Sequence, residues 1–118
     1  VLWVFLGLGL ALSPWRFLGT FPLPWLAAQW FLIAVNLPQH DGCDPAHPVE
    51  HSRNVVGRLA NWPFLNNGFH TAHHDCPGMH WSRLPEYHAR ELAHQLPGHL
   101  CPRTIAGLWI AWWRARRS

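Results

Sequence analysis

The first 34 residues are almost wholly apolar, interrupted only at Ser13-Pro14, Arg16, Thr20 and Gln29. A membrane-spanning helix needs about 20 apolar residues. The run therefore suffices for one span and part of a second. Pro22 and Pro24 disfavour a helix through 21–24, because proline lacks an N–H and restricts the residue before it. The pattern predicts a helix from Val1 to about Leu18, a tight turn over 19–24, and a helix from Trp25 to about Gln39. The second helix, about 15 residues, is short for a span and would shelter against neighbouring helices. A buried hairpin of a soluble protein is the duller reading, but nothing else in the sequence could cover so much apolar surface.

From Asp41 to Asn61 the chain turns polar and rich in Pro, Gly and Asp. It reads as a water-facing loop with room for a helix over 47–59. Asn66-Asn67-Gly68 signals a turn, and Asn66 or Asn67 is placed to cap a helix that begins near His70. Pro77-Gly78 ends that helix. Leu84-Pro85-Glu86 opens another, with proline in the first turn, and Pro97-Gly98 closes it. In the tail, Ile105, Leu108, Trp109, Trp112 and Trp113 fall at i, i+3, i+4, i+7 and i+8, one apolar helical face. Tryptophans there and arginines at the end predict a helix lying in the headgroup layer of a membrane. The alternative is a surface helix packed on its own domain.

The 118 residues allow one domain at most. The sequence begins with Val1 inside an apolar run, which suggests a fragment of a longer chain. Val1 to Leu12 has neither the basic leader nor the small-residue cleavage site of a secretory signal. Nine tryptophans are present, the basic residues are all arginine, and the net charge is +3. Arg114, Arg116 and Arg117 sit beside tryptophans, the composition of a membrane surface more than of a nucleic-acid contact. No nucleic-acid motif occurs. Cys43, Cys76 and Cys101 form no C-x-x-C pair, and an odd count gives no disulfide framework. They read as free thiols of a reducing compartment.

The candidate chemistry lies in the histidines. His70, His73 and His74 stand at i, i+3 and i+4, which on a helix gathers three rings on one face. Imidazole suits iron, zinc, copper or nickel. His40 sits where the apolar helix emerges into polar sequence and could add a fourth ligand; a histidine there is also a favourable helix-end cap. Asn36 lies one turn earlier, on the same face. His51 could orient a ligand histidine through a hydrogen bond. Cys76 is close enough to be considered, although the histidines already suffice. His47-Pro48-Val49-Glu50-His51 matches the inverted zinc-peptidase pattern H-x-x-E-H. That chemistry needs the motif on a helix and a further ligand-bearing helix. The segment follows a loop and no such helix is evident, so a zinc peptidase is disfavoured.

The histidine triplet followed by Pro77, Trp81 and Leu84-Pro85 resembles the last histidine box of the integral-membrane fatty acid desaturase family. Asn36-Leu37-Pro38-Gln39-His40 resembles the segment that closes that family's last membrane helix. His51-Ser52-Arg53-Asn54 is similar to a stretch from one bacterial branch. Together these pieces run from about Pro24 to about His88.

The resemblance implies an all-α protein: a partial integral-membrane helical hairpin (1–39), a cytosolic helical cap carrying the histidine-box metal site (40–102), and an amphipathic interfacial helix (103–118). It implies a di-iron centre with His40, His70, His73 and His74 among its ligands, Asn36 reaching a metal through water, and further boxes outside this chain. Imidazole holds iron in either redox state, whereas thiolates oxidise. No catalytic residue is implied beyond the ligands.

The implied reaction is O2-dependent introduction of a double bond into a fatty acyl chain. A lipid bilayer and a separate ferredoxin-like or cytochrome electron donor would be the partners, without nucleic acid. The implied location is the inner membrane, multi-pass, with the metal site facing the cytosol. A related membrane di-iron hydroxylase or ketolase acting on a carotenoid or alkane, and a non-catalytic metal-binding remnant, are the alternatives.

Overall fold

The structure, a computed structural model, describes residues 1–117. Ser118, the last residue of the expected interfacial helix, lies outside the described residues. The chain forms two compact units, Val1–Ala34 and Val35–Ser118. Among the described residues all regular structure is helical.

In the first unit, α1 (Leu2–Leu12) and α2 (Pro14–Thr20) meet at Ser13. Ser13 precedes a proline, leaves the helical region and ends α1, while Pro14 opens α2 without needing an N–H. Phe5 packs edge-on against Phe17 and Phe21, at ring-centroid distances of 5.7 and 5.3 Å. The Phe17 ring also lies where a side chain at Gly9 would stand.

The expected turn over 19–24 is thus displaced to Ser13. Only Phe21 separates α2 from α3 (Pro22–His40). The N–H groups of Phe21 and Trp25 keep their bonds to Phe17 and Phe21 carbonyls. The two prolines therefore fall in a first turn, where their missing donors cost little. As a result α3 has 19 residues instead of the expected fifteen or so. Pro14–His40 is long and apolar enough to cross a membrane, and Leu2–Leu12 is a shorter apolar helix.

The second unit begins with the last turns of α3. Gly42, at φ +78°, turns the chain off the helix end in the left-handed region that glycine enters without strain. The expected helix over 47–59 does not form. The His47 Nδ1 accepts from the N–H groups of Val49 and Glu50, which ties that stretch into a turn.

Residues 53–57 are then extended and threaded between other segments. The Asn54, Val55 and Val56 N–H groups donate to the carbonyls of Leu100, Gly68 and Pro102. A short α4 (Arg58–Asn61) follows. Asn61, 2 % exposed, donates to the Val55 and Gly57 carbonyls and accepts from the Gly68 N–H. A side chain on Gly68 would stand 2.6 Å from the Val55 carbonyl oxygen, so glycine is required by close approach.

Beyond it comes α5 (His70–Asp75). Its cap residue is Phe69, not Asn66 or Asn67. Leu65 and Asn66 take positive φ, and the Asn66 amide instead donates to the Trp81 carbonyl. Then α6 (Leu84–Tyr87) runs into a wider turn over His88–Leu92. Phe69 and Ala72 of the α5 region pack with Leu84, Leu92, Leu96 and Leu100 to make the core of this unit.

The last helix, α7 (Ile105–Ala115), starts at Thr104, whose hydroxyl accepts from the Gly107 N–H. Its apolar face is divided. Leu108 and Trp112 are buried, whereas Trp109, Ile110 and Trp113 are exposed. The sequence pattern put Trp112 among headgroup-facing residues. It is turned inward because its indole N–H donates to Asp41 Oδ2 at 2.7 Å, an oxygen that also pairs with Arg116 at 3.0 Å.

Candidate metal centre

Two helices supply the candidate ligands. His40 is the final residue of α3, and α5 carries the triplet. The α5 helix is held by its buried inner side, Thr71 and Ala72, both 0 % exposed. At helical spacing, His70 and His74 then share one face.

The His70 Nε2 lies 2.7 Å from His40 Nε2 and 3.2 Å from His74 Nε2. One ligand nitrogen from each of these rings lies within 4.8 Å of the others, a group that could hold a metal ion. His73 stands further off, with ring centroids 6.1 Å from His70 and 5.8 Å from His74, outside that group of three. Asn36 is half-buried one turn before His40. His51 lies 5.7 Å from the His74 ring, and its Nε2 is 3.6 Å from Asp75 Oδ1. Sequence reading passed over Asp75, whose signal was its place directly after the triplet. A cleft of about 470 Å³ opens here, lined among others by His40, His47, His51, His74 and Asp75.

The donor set fits a soft-to-borderline cation. Three imidazoles crowd together, and no carboxylate belongs to the trio. Burial, then the neighbouring His40, His74 and His73 rings, push the His70 pKa from its ordinary 6.5 down to about 3. Burial and its histidine neighbours lower His74 as well. The His70 ring is therefore neutral at pH 7, with a lone pair for a metal. Its Nδ1 is buried toward the Asn67 carbonyl without a well-formed hydrogen bond. A metal on Nε2 would fix the proton on Nδ1 and strengthen that contact.

Cys76, His47, His51, His80 and His88 are not part of that trio. Cys76 caps the end of α5. His80 accepts from the Ser82 N–H at the start of a short turn. His88 is buried against Phe69, at a centroid distance of 5.1 Å. His47 and His51 are not on a helix, so the H-x-x-E-H pattern does not assemble.

These buried neutral rings make stability depend on pH. The lowered pKa values of His70 and His88, each caused first by burial, mean that the unfolded chain binds more protons below pH 6.5. The stabilisation from keeping them neutral is complete above 6.5 and is lost as the pH falls toward the folded values. Denaturation midpoints of metal-free protein should drop between about pH 7.5 and about pH 5. His88→Leu should flatten part of that slope, and an unchanged slope would contradict the assignment.

The helical chain brings imidazoles from two helices to one point that could hold a metal ion, and His40 ends a helix long and apolar enough to cross a bilayer. The model of the fatty acid desaturase family matches residues 1–107, and the chain belongs to that family. The curated proteins and the solved structures give no match.

Proposed function

We propose that this chain is the C-terminal, metal-site-bearing part of an integral-membrane di-iron desaturase that introduces a double bond into a fatty acyl chain. The observation that carries the reading is the convergence of His40 on His70 and His74 in a chain of the desaturase family. His40, His70, His73 and His74 would be ligands, and boxes outside residues 1–118 would complete the set. His73, set apart from the trio, would serve a neighbouring second iron. Asn36 and His51 would orient ligands or bound water.

When bound, the irons supply the O2-driven oxidation that removes two hydrogens from an unactivated alkyl chain, a task beyond acid–base side chains. This chain's residues hold and orient the metals. His70, neutral and buried, keeps its nitrogen free of protons across the physiological range. The electrons would come from a ferredoxin-like or cytochrome donor. The chain alone, with four candidate ligands, would not turn over substrate.

The proposed topology follows from the apolar surface of the first unit. Leu2, Trp3, Leu12, Trp15, Trp30 and Ile33 are among its exposed side chains, a surface that lipid or other helices must cover. Residues 1–39 would form the membrane hairpin and 40–102 the cytosolic region. Residues 103–118 would form the interfacial helix, with Trp109, Ile110 and Trp113 facing the headgroups of the inner membrane. Only Arg16 precedes His40, whereas the other eight arginines follow it, which favours a cytosolic location for residues after 40.

The test is the full-length protein reconstituted with an electron donor and acyl-lipid substrate. Oxygen-dependent formation of an olefin, with iron bound, is the expected result. An alcohol or ketone product would instead assign a hydroxylase or ketolase. No conversion and no iron would leave a non-catalytic remnant. In the same protein, a reporter fused after Ser118 should be active only if it is cytosolic; activity of a periplasm-only reporter would reverse the topology.

A further inference from the structure

The Ser52-Arg53-Asn54 segment is buried to a degree that its polarity does not predict. Ser52 and Asn54 are 0 % exposed and Arg53 is 2 % exposed. Side chains of this kind stay inside only when their polar atoms are satisfied. The partners are informative, because they belong to the two helices that carry the histidines.

Arg53 closes the end of α3. Its Nη1 donates to the carbonyls of Pro38 (3.0 Å) and Asp41 (2.7 Å), and its backbone N–H donates to the Gln39 carbonyl (2.7 Å). The remaining terminal carbonyls, of Leu37 and His40, take the N–H groups of Asp41 and Cys43. One residue thus satisfies three of the five carbonyls around His40. A cation at this position also faces the negative end of the helix dipole.

Ser52 and Asn54 hold α5. The Thr71 hydroxyl lies 2.9 Å from Ser52 Oγ and accepts from Asn54 Nδ2 at 2.8 Å. The Thr71 N–H donates to Asn54 Oδ1 at 2.9 Å. Thr71 is fully buried and directly follows His70. Three consecutive residues therefore grip both helices, Arg53 holding α3 and its two neighbours holding α5.

We propose that Ser52-Arg53-Asn54 is the gauge of the metal site: Arg53 sets the position of His40, Ser52 and Asn54 set that of His70 through Thr71, and together they fix the gap between the two ring nitrogens. These are positioning residues and touch no metal themselves. The proposal rests on the reading of His40, His70 and His74 as metal ligands.

The experiment titrates cobalt(II) into the metal-free full-length protein in detergent, following affinity and the d–d absorption bands, with melting temperature measured in parallel. Wild type should bind cobalt, and His70→Ala should not; equal binding by both would sink the metal reading itself. Given that control, Thr71→Val, Arg53→Gln and the milder Ser52→Ala should each weaken cobalt binding, by roughly 10- to 100-fold for the first two, and shift the bands. Thr71→Ser, which keeps the hydroxyl, should restore both. Leu108→Ala, at a fully buried apolar position of α7, should lower the melting temperature and leave the cobalt spectrum alone. If Thr71→Val or Arg53→Gln fails to fold, Ser52→Ala decides. Wild-type affinity and spectrum in the folded variants, or changes no larger than those of Leu108→Ala, would overturn the proposal.

Discussion

Replacing His70 with alanine in the full-length protein is expected to abolish metal binding and, with it, any oxidase activity. His70 is the ring that the other two approach, at 2.7 Å for His40 and 3.2 Å for His74. Without it, only His40 and His74 remain of the trio, on different helices and with ring centroids 5.1 Å apart. The loss should exceed the roughly 10- to 100-fold penalty typical of residues that only orient a ligand. His88→Leu is the matched control. His88 is also a buried neutral histidine of this unit, but it packs on Phe69 and faces no other imidazole. Iron content per chain and cobalt affinity measure the effect. Wild-type iron content in His70→Ala would remove His70 from the ligand set, and loss of iron in His88→Leu would show that the assay reads folding instead.

Among alanine replacements of polar residues in the second unit, Asn61→Ala is expected to be the most destabilising. The side chain makes two bonds to buried carbonyls, of Val55 (2.6 Å) and Gly57 (3.1 Å), and receives one from the Gly68 N–H (2.9 Å). Alanine would leave the Val55 carbonyl and the Gly68 N–H unpaired, whereas the Gly57 carbonyl keeps the backbone N–H of residue 61. At about 1–3 kcal/mol for each orphaned group, the cost should reach at least about 2 kcal/mol. Gly68 sits two residues before His70, so the disturbance should also loosen the start of α5. Asn61→Asp would keep the acceptor for Gly68 but set a buried carboxylate oxygen against the Val55 and Gly57 carbonyls, so its loss should at least equal that of alanine. Chemical denaturation of the three proteins tests the order; a loss under about 1 kcal/mol for alanine would mean that water replaces the side chain.

The sequence by itself determined the helical class, the family and the histidines that could meet. These are local facts. A three-and-four spacing puts rings on one helix face whatever surrounds it, and His40 is marked by standing where apolar sequence ends. The stop at Pro77-Gly78 is equally local, because proline and glycine act on their own backbone, whereas the helix that opens at Leu84 ends at Leu92, short of Pro97-Gly98. Other local signals were outvoted. Prolines at 22 and 24 read as a turn, but a first helical turn tolerates them, and Ser13 before Pro14 took the break. Asn66 read as a cap, but its amide found the Trp81 carbonyl and Phe69 took the position.

Only the tertiary structure decided which of the equally spaced histidines converge. It set His70 and His74 on His40 and left His73 apart. It also turned Trp112 inward onto Asp41 while Trp109 and Trp113 stayed outside, a division that helical periodicity alone cannot make. The burial of Ser52, Arg53 and Asn54 was equally illegible, since their polarity predicts a surface loop. Their partners lie 15 to 19 residues away in sequence, at Pro38 and Thr71. A hydrogen bond across such a distance leaves no periodic trace in the chain, and it exists only once both helices are in place.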